Sequence, residues 1–87
     1  MEVKYHKRFL KNYRKRIVLN PKLAEQFAER LRKFKENPAD LILKDHRLTG
    51  RMEEYRAFSV SGDIRVIYRT IEDEIWLYDI GSHNQVY

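Results

Sequence analysis

Ala57-Phe-Ser-Val-Ser-Gly-Asp-Ile-Arg-Val-Ile-Tyr-Arg69 is the stretch whose reading decides the fold. Its alternation predicts two antiparallel strands joined through Ser61-Gly62-Asp63, with Gly62 supplying the permissive backbone of a tight connection. On the second strand Ile64, Val66 and Tyr68 share one face and Arg65, Ile67 and Arg69 the other, because side chains alternate along a strand. A guanidinium at Arg65 is thereby set mid-strand among apolar neighbours. Burying it unpartnered is costly, so Arg65 meets an anion or lines a groove. Asp63 has the same parity and points to the same side of the sheet.

Outward from this hairpin, Tyr55 to Val60 and Ile64 to Arg69 form the two strands, and Thr70 to Glu74 makes the next turn. Ile75 to Ile80 is a third strand, apolar on both faces except at Asp79, the pattern of a strand covered on each side. Gly81-Ser-His-Asn84 breaks it, and the chain ends at Tyr87 with no trailing helix. At the other end, Val3 to Lys7 reads as a short strand in which His6 is structural or solvent-facing. Leu10, Tyr13 and Ile17 then recur at helical spacing, surrounded by Lys7, Arg8, Lys11, Arg14, Lys15 and Arg16. Asn20-Pro21 is a stop and restart, with Asn20 as N-cap. A second helix carries the stripe Leu23, Phe27, Leu31 and Phe34 to about Lys35, and Asn37-Pro38 ends it. Leu41, Ile42 and Leu43 anchor a turn before the polar loop Lys44-Asp-His-Arg-Leu-Thr-Gly50.

The 87 residues, 43% hydrophobic, are enough for one domain spanning 1–87 with a single core. There is no cysteine, which removes disulfides, thiolate nucleophiles and Cys-based metal sites. No uncharged apolar run nears the roughly 20 residues of a membrane span, and the first residues lack the apolar region of a signal peptide. A cytoplasmic protein with no membrane association is expected. Charge is uneven: residues 1–36 carry 12 basic and 4 acidic groups, whereas residues 37–87 carry 6 and 9. A basic segment this dense points to a polyanion or an acidic protein partner, or else to a solvated helix surface.

Phosphate-binding glycine loops, His-Glu-x-x-His and nucleophile elbows are all missing, and the spacing of the three histidines favours no metal site. What remains at strand ends and loops is His46, Asp63, Arg65, His83 and Tyr87. Brought together, they supply an imidazole, a carboxylate, a fixed cation and a phenol, an inventory suited to proton transfer around a phosphate. RNA carries its own nucleophile in the 2′-hydroxyl. Cleaving it needs a base for that group, a cation for the phosphorane charge and an acid for the leaving 5′-oxygen. The same residues could equally be ordinary surface groups.

The order Lys44-Asp-His-Arg-Leu-Thr-Gly50, Tyr55-Arg56, Gly62-Asp-Ile-Arg-Val-Ile-Tyr68 and Ile80-Gly-Ser-His-Asn-Gln-Val-Tyr87 resembles the RelE superfamily of toxin–antitoxin toxins, in particular its YafQ-like branch. The most specific parts are the Asp-His-x-Leu-x-Gly loop and the terminal Gly-x-His followed four residues later by an aromatic. The resemblance implies an α+β RelE-like fold, two N-terminal helices packed on a twisted, mainly antiparallel four-stranded sheet, with the first strand beside the later three. It implies a toxin that is a ribosome-dependent mRNA endoribonuclease, cutting in the A site without metal or cofactor. Its implied partners are a cognate antitoxin, the 70S ribosome with its rRNA, and mRNA.

Carried over by position, His46 and His83 match the catalytic histidines, Asp63 the hairpin carboxylate and Tyr87 the terminal aromatic, while Arg65 matches the strand arginine of related branches. His83 is then the general acid and His46 or Asp63 the base. Lys7, Arg8, Lys11, Arg14 and Lys15 on the first helix, with Lys44 and Arg56, become candidates for RNA backbone contact, as do Lys22, Arg30, Arg32, Lys33 and Lys35 on the second. Two positions depart from the pattern: Ser59 stands where the branch can have a further histidine, and Asp79 where it can have an arginine. Arg65 is expected to replace that second cation. Two rivals remain on the same fold: a ParE-like poison of DNA gyrase acting by binding, and a non-catalytic translation inhibitor. The histidine pair argues against both.

Overall fold

The computed structural model describes residues 2–87. In chain order the elements are β1 (Glu2–Tyr5), α1 (Lys7–Arg16), α2 (Pro21–Glu36), β2 (His46–Arg47), β3 (Arg56–Ser59), β4 (Ile64–Ile71), β5 (Glu74–Ser82) and α3 (His83–Val86). Short 3₁₀ turns at Leu41–Leu43 and Gly50–Met52 flank β2. The sheet has five strands in the order β1-β5-β4-β3-β2, where four were expected. The additional strand is the pair His46 and Arg47, too short and polar to register as a strand but bonded to β3 opposite Ala57 and Arg56. β1 runs parallel to β5, from Glu2 opposite Glu74 to Tyr5 opposite Leu77. The remaining pairings are antiparallel.

Both long helices begin on side-chain caps. His6 accepts the Arg8 amide at Nδ1 (3.0 Å), which accounts for this histidine structurally, and Asn20 accepts the Leu23 amide (3.3 Å) with Pro21 next. Phe9, Ile17, Phe27, Leu31 and Phe34 share one core with Phe58, Val60, Val66, Tyr68, Leu77 and Ile80 of the hairpin and β5. At its centre the Phe34 ring stacks on Phe58 (4.8 Å between centroids) and meets Tyr68 edge-on (4.9 Å). Aromatic pairs of this kind add about 0.5–1.5 kcal/mol each beyond area burial. On α1 the core contact is Phe9, and Leu10 is 40% exposed, contrary to the periodic reading. The helix is rotated because it also brings Asn12 inward, where the amide donates to Asp79 (2.7 Å). Of the anchors after α2, only Leu43 is buried; Leu41 and Ile42 are exposed.

β5 is irregular where it matters. Ile67 pairs with Asp79 but Tyr68 with Leu77, so Tyr78 is an extra residue on β5. This lets Leu77 and Ile80, of opposite parity, both reach the helix-side core. The opposite face is not covered by a helix layer as the apolar pattern of β5 implied. It carries a smaller cluster of Leu48, Ala57, Ile67 and Val86 with Met52, Tyr55 and Tyr78 at its margin. Val86 arrives there because the last residues form the one-turn α3 rather than an irregular tail. Among the described residues no helix is long and apolar enough to cross a membrane.

The β3–β4 turn does not use a special glycine backbone. Gly62 lacks a positive φ and a Cβ there would meet open space. Serines hold the turn instead: Ser59 Oγ donates to Ser61 O (2.8 Å), and Ser61 Oγ accepts from Ile64 N (3.2 Å). Gly62→Ala is therefore expected to leave stability unchanged or raise it by about 0.4–1 kcal/mol through the unfolded state. Asp79→Ala, which strips the partner from the buried Asn12 amide, is expected to lower it by about 1–3 kcal/mol. Urea unfolding of the two variants checks both.

Candidate active site

The loop before β2 is fixed by Asp45. Its carboxylate accepts from Arg56 Nε (2.7 Å) and from the Tyr68 hydroxyl, so one acidic side chain clips the loop to β3 and β4. Burial, and then donation to Asp45, pushes the Tyr68 phenol well above the ordinary tyrosine range. Asp45 likewise holds Arg56 more firmly in its charged form. Lys44, at φ 50°, turns the chain in the left-handed region and presents its carbonyl to the next residue but one. His46 Nδ1 lies 3.0 Å from that oxygen. A carbonyl only accepts, so Nδ1 carries the proton, and the neutral ring has its lone pair on Nε2.

The other wall is α3. Gln85 Oε1 accepts the Ser82 amide (2.8 Å), closing the turn from β5 into the helix. Beneath it a Cβ on Gly81 would stand 2.7 Å from Gln85 Oε1 and 2.8 Å from an Arg16 guanidinium nitrogen, so a larger residue there displaces both side-chain ends. That nitrogen also donates to Ile80 O (2.9 Å), so α1 supports the end of β5 from behind. One helical turn apart, the His83 and Tyr87 rings meet edge to face at 4.4 Å. Burial raises the Tyr87 phenol above its usual value, and the Arg65 cation partly opposes the shift.

His46, His83 and Tyr87 thus line a single groove of about 440 Å³, together with Arg47, Leu48, Thr49 and Met52. Arg65 is near enough for its charge to be felt at Tyr87. Its Nη1 is held at 3.1–3.4 Å by the carbonyls of Ser61, Gly62 and Ile64 and by Ser59 Oγ. Carbonyl dipoles, rather than an acidic side chain, therefore carry the guanidinium. Asp63 is exposed in the turn and is neither a lining residue of the groove nor a partner of Arg65. Arg47 and Met52 lie in the groove although sequence reasoning passed over them. Arg47 was signalled by its place beside His46; Met52 had no local signal, because only the Gly50–Met52 turn brings it back.

The positive charges divide sharply. Lys7, Arg8, Lys11 and Lys15 line a second, basic trough of about 470 Å³ on α1, without Arg14. Arg8 Nε also pairs with Asp79 (3.3 Å). On α2 much of the charge is spent internally: Arg32 pairs with Glu36 (2.8 Å) and Glu29, Lys33 lies 3.8 Å from Glu29, and Arg30 donates to Ile42 O and Ser59 O. Arg56 is committed to Asp45, whereas Lys44 is exposed beside the groove. Among the described residues, no three His, Cys, Asp or Glu side chains converge where they could hold a metal ion.

The architecture is that of small bacterial toxins of toxin–antitoxin systems. The chain is similar to a Helicobacter pylori toxin, solved as a copper-bound mutant, with 27% identity, a TM-score of 0.77 and coverage of 100% of this chain and 99% of that one. It is similar also to YafQ from E. coli strain BL21(DE3), at 20% identity and TM-score 0.79, covering 99% and 97%. YafQ in the E. coli DinJ–YafQ complex aligns at 21% identity and TM-score 0.75, covering 99% and 96%. No curated protein matches by sequence. Residues 1–87 match the profile described as the bacterial toxin of type II toxin–antitoxin system, YafQ: the chain belongs to the YafQ toxin family.

Two outcomes test the site's construction. Because the folded state holds the Tyr68 proton more tightly than the unfolded state, that contribution to stability is complete below pH about 10 and is lost as pH rises further, through the folded value. The urea midpoint of Tyr68→Phe is accordingly expected to fall less than that of the parent chain between pH about 9 and 11. Gly81→Ala is expected to shift the amide resonances of His83 to Tyr87 in an NMR spectrum while those of α2 stay in place.

Proposed function

We propose that this toxin is an endoribonuclease that cleaves mRNA in the ribosomal A site and so stops translation in the cytoplasm. The observation that carries the reading is the convergence of His46, His83 and Tyr87 on one groove beside the Arg65 cation. His46 is the general base. Its Nδ1 donates to Lys44 O, which leaves Nε2 free to take the 2′-hydroxyl proton. The 2′-oxygen then forms a bond to phosphorus, Arg65 offsets the charge that builds on the phosphorane oxygens, and His83 in its imidazolium form protonates the departing 5′-oxygen as the P–O5′ bond breaks. A 2′,3′-cyclic phosphate and a 5′-hydroxyl result. Every role falls to a side chain, so the scheme invokes no metal or cofactor.

The exposed position of Asp63, away from the groove lining, favours His46 over it as base. Tyr87 borders the groove with its ring against His83, suited to stacking on a base of the mRNA and to fixing the imidazole. Lys7, Arg8, Lys11 and Lys15 supply a salt-sensitive hold on ribosomal RNA backbone, with Lys44 beside the groove. Arg14 and Arg56 contribute less, the first lying off the trough and the second being neutralised by Asp45. A cognate antitoxin, as DinJ is found with YafQ in the E. coli complex, is proposed to silence the toxin through an acidic segment laid on this basic surface or across the groove.

Primer extension on a defined mRNA in a reconstituted translation system tests the scheme. The parent chain is expected to give discrete A-site cuts only when ribosomes are present. His46→Ala and His83→Ala are each expected to slow them by about 10²–10⁴-fold, and Arg65→Ala by about 10²-fold or more. Arrest of translation without cuts, or full cleavage by His83→Ala, would overturn the assignment; inhibition of gyrase supercoiling instead would make the chain a binding poison.

A further inference from the structure

On the open face of the sheet lies a second, smaller recess of about 160 Å³, lined by His6, Tyr55, Arg69, Ile71, Trp76 and Tyr78. Its polar chemistry is unfinished. Arg69 Nε is buried and has no hydrogen-bond partner among the described residues, although Nη2 of the same side chain reaches Glu54 (3.4 Å). An N–H left in this way costs free energy until an acceptor meets it. Around it the aromatics are tilted against one another, Tyr55 and Tyr78 at 46° and His6 and Tyr78 at 55°. The Arg8 guanidinium sits 5.1 Å from the Tyr78 ring, Tyr78 lies 4.9 Å from Tyr55, and Arg69 sits 5.3 Å from Tyr55. Each tyrosine ring thus has one cation over it, and Trp76 lies directly across the β4–β5 pair from Arg69.

From this we infer that the recess is an RNA subsite, taking one nucleobase of the strand whose scissile phosphate lies in the His46–His83 groove; only the naming of RNA rests on the proposed nuclease reading. Tyr55 and Tyr78 pack on the same small apolar cluster as Leu48 and Met52, which line that groove, so recess and groove flank one ridge. Arg65 and Arg69 stand on one face of β4 four residues apart, about 13 Å at strand rise. A strand of RNA passing over the small cluster that covers Ile67 meets a cation at each end. A base fills the recess with a flat π-surface against the aromatics, and its edge acceptors meet the exposed part of the Arg69 guanidinium. An isolated carboxylate would satisfy Arg69 but leave the aromatic walls without a partner.

Trp76 is the only tryptophan of the chain, so its fluorescence reports the recess directly. The probe is a single-stranded 2′-O-methyl RNA of about six nucleotides, which lacks the attacking hydroxyl and stays intact. Saturable quenching of Trp76 is expected, with affinity about tenfold weaker in Arg69→Ala and partly restored in Arg69→Lys. Glu54→Gln, which frees Arg69, should tighten binding about two- to threefold. Circular dichroism shows whether each variant is folded, and Glu54→Gln does not touch the core.

Unchanged fluorescence on binding, or equal affinity for parent and Arg69→Ala, would overturn the subsite. AMP binding as tightly as the oligonucleotide would make the recess a free-nucleotide site, and quenching by a hexaglutamate peptide in preference to RNA would make it a protein contact; either refutes the inference. Quenching in a chain that never cleaves mRNA would refute the nuclease reading and leave the subsite standing.

Discussion

The structure depends on a carboxylate that has been taken out of water. Asp79 is 1% exposed, and its oxygens are satisfied by Asn12, by the Ile80 amide, and by Arg8 and Arg16 at 3.3 and 3.4 Å. Three of those donors come from successive turns of α1. A buried charge must be met by charge or hydrogen bonds, so α1 has one rotation and one height at which it can sit against β5. That constraint explains why Asn12 faces inward and Leu10 outward. It also explains how a helix remote from the groove contributes to it: Arg16, drawn to Asp79, continues to Ile80 O and packs beneath Gly81, where α3 begins.

The two faces of the sheet have separate tasks. The helix side holds the large aromatic and aliphatic core and supplies stability. The other side has only a small cluster, pinned by Val86 and Leu48, and around it lie the groove with its histidines and the aromatic recess at Arg69. The bulge at Tyr78 makes this division work, since it lets Leu77 and Ile80 serve the core while Tyr78 turns to the open face. A strand of strict alternation could not place all three.

Charge is partitioned in the same way. A net excess of positive charge at the N-terminal end reads as one basic surface, yet only part of it stays clear of internal ion pairs. Arg30, Arg32 and Lys33 are occupied within α2 and its neighbours, Arg56 is held by Asp45, and Arg16 by Asp79. Lys7, Lys11 and Lys15 remain along the α1 trough, with Arg8 shared between Asp79 and the trough. Exposed pairs such as Arg32 with Glu36 contribute little to stability, about 0.3–0.5 kcal/mol. They do reduce the field that α2 presents to a polyanion.

The sequence by itself determined the elements whose physics is local. Asn20-Pro21 starts α2 and Asn37-Pro38 ends it, the stripe Phe27, Leu31, Phe34 faces inward, and the hairpin puts Val66 and Ile67 on opposite faces, because capping, helical period and strand alternation act over a few residues. His46, His83 and Tyr87 were singled out by the spacing of their loop and terminal motifs, and the fold brings all three to one groove. Tertiary structure alone decided what those residues face. His46 and Arg47 became a fifth strand only because β3 offered an edge, Gly62 faces open space while Gly81 lies against the ends of Gln85 and Arg16, Asp63 stayed outside the groove, and Asp79 became a keystone rather than a gap in an apolar strand. The fifth strand, the setting of Gly81 and the role of Asp79 depend on partners distant in the chain, up to 71 positions for Arg8 and Asp79, and a pattern read over neighbouring residues holds no information about which distant donor will meet a buried acceptor.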